Sequence, residues 1–127
     1  MNKAVKIVIG VLLIPIIYEL AGIVVNQAST TMQTSKLRKE IAEVIPNTEI
    51  ISAKSQTGNT TGTGNHVDCL SLVTFSSDLP LSEVQDKLDD TYEWNDLNCY
   101  VEETDKTGEY LFYLRKRAPF ADNIIGH

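Results

Sequence analysis

IVIGVLLIPIIYELAGIVV, residues Ile7 to Val25, is the stretch on which the reading of the rest of this 127-residue chain depends. Its nineteen residues carry one charge, Glu19, and follow a short start that holds Lys3 and Lys6. As a helix the run would rise about 28 Å at roughly 1.5 Å per residue, close to the hydrocarbon thickness of a bilayer. Residues 1–25 are therefore expected to form a transmembrane or signal-anchor helix. The rival is a cleaved secretory signal, whose apolar region is shorter and ends in a small-x-small site. The uninterrupted run from Ile7 to Tyr18 has that length. However, cleavage after Ala21 would place Glu19 at the first small position, and cleavage after Ala28 would place Asn26 there. Retention is the expectation, and secretion after cleavage the alternative. A lipoprotein anchor needs a Cys directly after the apolar run, whereas the first Cys is Cys69.

Glu19 would sit near one end of the span. An ionisable residue there is a candidate for pairing with another helix, against the plainer reading of a carboxylate that reaches interfacial water. Lys3 and Lys6 flank one side of the span and Lys36, Arg38 and Lys39 the other, so charge alone leaves the orientation open. The short segment before the span, and two cysteines that suit an oxidising compartment, favour a cytoplasmic N-terminus and an exported domain.

Past Val25 the composition changes. Setting aside residues 1–25, which hold Lys3, Lys6 and Glu19, leaves 9 basic against 16 acidic residues, a net charge of about −7. Such a domain is not expected to bind nucleic-acid backbones, which need concentrated positive charge, and anionic lipid would repel it. With only 7 Gly, 4 Pro and 2 Cys, the chain is neither collagen-like nor a disulfide-dense scaffold. The length fits one small domain beyond the apolar segment.

Residues 26–35 open with NQASTTMQ and read as a juxtamembrane linker or a helix extension. Leu37, Ile41, Val44 and Ile45 then recur on one helical face and stop before Pro46. If that helix began at Ser35, the cations Lys36, Arg38 and Lys39 would crowd its first turn, where the dipole disfavours them. An earlier start, continuous with the apolar segment, would place them mid-helix. Glu49–Ser55 and His66–Phe75 read as strands, separated by the Gly- and Thr-rich SQTGNTTGTGN. That loop lacks the terminal Lys-Ser or Lys-Thr of a phosphate-binding loop. A second helix follows Pro80, with Ser82 and Gln85 in a capping-box pattern and an end near Tyr92. Leu97–Glu103 and Glu109–Arg117 form a hairpin, and 118–127 is a tail without usable period. The expected fold is α+β: an N-terminal anchor helix, then a domain over 36–117 with a four-stranded antiparallel sheet and two helices on one face, in αββαββ order.

Cys69 and Cys99 lie in strands and are expected to pair if exported and adjacent. The alternative is two buried thiols. His66 and Asp68 share a strand face, but with His127 as the one other His no metal set is expected. The acidic run Asp86, Asp89, Asp90, Glu93 and Asp96 lacks the frame of a calcium loop and reads as a solvated face. No catalytic or cofactor-binding residues stand out. Trp94 and the basic run Arg115, Lys116 and Arg117 are candidate partner contacts, against a core-edge Trp and a basic strand end paired with the protein's own acids.

These observations favour a membrane-anchored extracytoplasmic binding or accessory domain that engages an envelope protein or ligand without catalysis. The alternative is a pilin-like structural subunit that assembles through its hydrophobic helix. Pilins share a basic leader, a processing Gly and a Glu five residues into the mature chain. Here the fifth residue after Gly10 is Pro15 and Glu19 is the ninth, so no family is assigned.

Overall fold

The computed structural model describes residues 2–62 and 64–126. One helix, α1, runs unbroken over Lys3–Val44, 42 residues. Asn2 caps its start by accepting the Val5 N–H at 3.1 Å, which satisfies one of the free donors of the first turn. Pro15 removes one bond from the ladder, and the helix continues through it. Ile45 ends it in an extended conformation ahead of Pro46, the geometry that a residue preceding proline prefers.

The two halves of α1 differ in what surrounds them. Up to Tyr18 its large apolar side chains are exposed on every face, Ile14 to 64%. From Gly22 on, one stripe is buried: Gly22, Asn26, Thr30, Thr34, Leu37 and Ile41, at steps of four or three residues. Residues 26–35 are thus neither linker nor loop but the polar part of a helix face that packs on a sheet. Lys36, Arg38 and Lys39 lie mid-helix, so no dipole conflict arises. Lys36 and Lys39 stand 3.9 Å from Glu40 and Glu43; both ammonium groups are exposed, so the pairs are of small energetic weight.

The sheet contains β1 (Glu49–Gly58), β2 (Asp68–Ser76), β3 (Cys99–Glu103) and β4 (Glu109–Arg117), in spatial order β1-β2-β4-β3 with all neighbours antiparallel. Helix α2 (Leu81–Leu88) precedes β3. Val84 and Leu88 of α2 join Leu37 and Ile41 of α1 over Val73, Phe75, Val101, Tyr110 and Phe112, so both helices cover one face. Each such fully buried side chain contributes roughly 1.5–3 kcal/mol by leaving water.

Three local expectations are corrected. Strand β1 extends to Gly58, beyond Ser55, because Ser55 and Thr57 bond to Thr34 and Thr30 of α1, each at 2.6 Å. The α2 N-cap is Pro80 with no side-chain cap bond, which places Ser82 inside the first turn and leaves the capping box unformed. That helix stops at Leu88 rather than near Tyr92, whose ring turns inward to meet Phe112 at 4.9 Å. The segment 118–126, without period in the sequence, is ordered by specific bonds: Ala118 N–H donates to Val67 O at 3.0 Å and Val67 N–H to Ala121 O at 2.8 Å. It ends in a single 3-10 turn, Ile124–Gly126.

Candidate functional site

The expected disulfide is absent, since Cys69 and Cys99 are both free and buried. Strand order explains this. β4 lies between β2 and β3, so two strand spacings, about 9–10 Å, separate the cysteines across the sheet, and they are also offset by two residues along it, Cys69 lying opposite Lys116 and Cys99 opposite Leu114. A bridge needs Cα atoms within about 7 Å. Cys69 sits against α1, its thiol donating to Asn26 O at 3.8 Å. Burial pushes the Cys99 thiol up, although Lys116 pulls it the other way, the reverse of what an activated thiolate requires. Unpaired thiols leave the inference of an oxidising compartment without support.

Glu19 meets its own chain. Its carboxylate accepts from Asn123 Nδ2 at 2.8 Å and from Ile124 N–H at 2.9 Å, and its backbone carbonyl accepts from Asn123 Nδ2 at 2.9 Å. Two turns further on, Asn26 grips Phe120 by both amide atoms: Nδ2 donates to Phe120 O at 3.0 Å and Oδ1 accepts Phe120 N–H at 2.9 Å. Between them Gly22 allows the close approach. A Cβ there would stand 2.7 Å from Asn123 Nδ2 and 3.3 Å from Phe120. Tyr18 completes the contact edge-on to Phe120, with centroids 5.5 Å apart. The sequence reading missed Gly22, Asn26, Phe120 and Asn123. The available signal was Glu19, Gly22 and Asn26 at i, i+3 and i+7, one side of a helix.

Of the partner-contact candidates, Trp94, Arg115 and Lys116 border one cleft of about 570 Å³, together with Tyr92, Asn95 and Asn98, and Arg117 does not. A second groove of about 370 Å³ shares Thr91, Tyr92, Leu114 and Lys116 and is walled on the other side by Met32, Gln33 and Lys36 of α1. The basic run is not one patch, because alternation along β4 sends Arg115 and Lys116 to opposite faces. Arg115 instead bonds to the Tyr113 hydroxyl and lies 5.2 Å from that ring's centroid. Trp94 packs on Phe112 at 5.6 Å and Tyr92 at 6.0 Å, so it serves as both core edge and cleft wall. Trp94 Nε1 and Arg115 Nε are buried donors without an acceptor among the described residues. Such donors carry a desolvation cost that an acceptor would offset.

Comparison with protein-family models, curated proteins and solved structures returned no match.

Tyr92 is tied to α1, its hydroxyl donating to the Glu40 carboxylate. Burial first, and then that hydrogen bond and the Glu40 charge, hold its phenol far above the ordinary value of 10.0. At the other end of the sheet His66 Nε2 stands 3.1 Å from Asp68 Oδ2 and 3.4 Å from Thr61 Oγ1. One ring nitrogen faces both groups, whereas a nucleophile–His–acid relay needs opposite nitrogens. No cluster of three metal-type side chains occurs among the described residues, and His127 lies outside them. Of the acidic run, Asp86, Asp89 and Asp96 border a shallow groove of about 250 Å³ with Trp94 and Tyr100.

Proposed function

We propose that this protein is a membrane-anchored binding module, without catalysis, whose small α+β domain stands on the extracytoplasmic side and engages an envelope protein. The observation that carries the proposal is α1 itself. One helix is apolar on all faces and uncovered to Tyr18, then becomes the central helix of the domain core. It is long and apolar enough to cross a membrane. A hinge between anchor and domain would need a break in the helix, and none is present from Lys3 to Val44. The domain is then held at fixed height and tilt, with the Trp94–Lys116 cleft on its flank level with Met32–Lys36 of α1.

That cleft is the favoured contact surface. It combines aromatic walls, unpaired buried donors and the exposed ammonium of Lys116, a set suited to an acceptor-rich, carboxylate-bearing segment of a partner. A photo-crosslinking residue placed at Lys116 or at Met32, with Lys54 on the far strand as control, tests the reading in intact membranes. Adducts of one discrete mass from the cleft positions but not from Lys54 are expected. Equal adducts at all three positions, or none, would refute it. A regular ladder of multiples of the chain's own mass would favour the second reading, a pilin-like subunit. That reading draws on the same exposed apolar half-helix ahead of a four-stranded sheet.

A further inference from the structure

The length of the apolar segment and the place where the chain's last residues dock on it do not agree unless those residues also meet lipid. Between Lys6 and Glu19 lie twelve residues, about 18 Å of helix, against a hydrocarbon core of about 30 Å. To supply about 30 Å the immersed part must run on to about Asn26 and so include Glu19 and Asn26. On a bare helix both would be exposed to a medium that penalises unpaired polar groups heavily. In the structure neither is bare, since 120–124 supplies hydrogen bonds to both side chains over the two turns in question.

The same segment faces outward with apolar groups. Ile124 is 62% exposed, and Tyr18, edge-on to Phe120, is 61% exposed. No Lys or Arg occurs in 118–126, and Asp122 is its one charged residue. Gly126 fixes the far end. A Cβ there would stand 2.6 Å from the His66 backbone, so the last turn is seated directly on the β1–β2 connection.

We infer that residues 119–126 form a lipid-contacting collar, docked on the last two turns of the span at the headgroup boundary, with Phe120, which packs on Tyr18, and the exposed Ile124 as its apolar contacts. This rests on the reading of α1 as a membrane span. Aromatic side chains are favoured at that depth, and a polar pair already satisfied within the protein can enter it at reduced cost. The lipid partner is zwitterionic, because Glu19 and Asp122 would repel an anionic surface. The collar fixes how deep the helix sits, and hence how far above the membrane the domain is held.

The test uses the full chain in phosphatidylcholine vesicles with Trp94→Phe as background and single tryptophans at Ile14, Ile124 or Met32, all exposed positions that tolerate the ring. Lipids brominated near the headgroup or near the chain end act as quenchers. The expected result is that I14W loses emission most with deep bromines, I124W loses most of its emission with shallow bromines, and M32W is unaffected. Quenching of I14W with none of I124W would overturn the collar while leaving the span. Absence of quenching at both would overturn the span and the collar with it.

Discussion

Replacing Asn26 by Ala removes a single side chain that holds two backbone groups of Phe120. Asn26 is fully buried, and its two bonds to Phe120 are 3.0 and 2.9 Å long. Each is worth about 0.5–1.5 kcal/mol net, so undocking of 119–126 becomes easier by about 1–3 kcal/mol. That corresponds to roughly 5- to 150-fold faster exchange of amides that open with the segment. The reporting amides are Phe120, Ile124, which donates to Glu19, and Val67, which donates to Ala121 O. Phe112 in β4 lies in the core and reports global opening only. Hydrogen exchange in detergent micelles should show the first group accelerated and Phe112 unchanged. Unchanged exchange at Phe120 and Val67 in the Ala variant, or equal acceleration at Phe112, would refute the reasoning.

Other outcomes follow from the same contacts. The Tyr92 phenol is held above 10.0 in the fold, so between that pH and its folded value the native state keeps a proton the unfolded chain has lost. Stability should be complete below pH 10 and fall as pH rises above it, and Tyr92→Phe should reduce that alkaline slope in urea titrations, leaving the part that belongs to Tyr100 and Tyr110, whose phenols burial also raises. A slope identical to that of the unaltered chain would show that Tyr92 is not a source of it. Because Cys69 and Cys99 are too far apart to bridge, added reductant should leave the thermal midpoint unchanged; a drop on reduction would contradict the strand order. Removing residues 2–25 should give a soluble folded domain, since the core residues Leu37 and Ile41 remain. In that form the Ile124 amide, deprived of Glu19, should exchange faster than in the full chain, and insoluble aggregate would count against an independent domain.

Much of the fold is legible along the chain, for identifiable reasons. The β3–β4 hairpin and the extent of β4 follow from Tyr100 and Val101 on one side, and Tyr110, Leu111, Phe112, Tyr113 and Leu114 on the other, of a turn that closes at Gly108, whose φ is 79°. The Leu37–Ile41 stripe is visible because its apolar period is intact. The seam over 26–34 is not, because period-based reading looks for apolar residues, and here the buried face is Asn26, Thr30 and Thr34, of which Thr30 and Thr34 are satisfied by Thr57, Ser55 and Ser71 across the interface and Asn26 by Phe120. A polar seam also has a physical use: an apolar one would continue the greasy segment without a boundary, whereas paired hydroxyls fix where the sheet docks. The disulfide expectation failed on strand order, which local sequence does not encode. Two strand cysteines can be adjacent in sequence order of strands and still have β4 between them. The cleft was partly legible: Trp94, Arg115 and Lys116 border it, whereas Arg117, two residues past Arg115 on the same strand, does not, and that limit follows only once the strand's pairing is known.

Whether one retained helix is both membrane anchor and domain core can be read from the intact mass of the protein that stays in the membrane pellet after an alkaline wash, alkylated under denaturing conditions without reduction. A helix serving both roles gives a full-length species of 14.1 kDa carrying two added alkyl groups. A soluble species lighter by about 2–3 kDa, the mass of a cleaved leader, would contradict it.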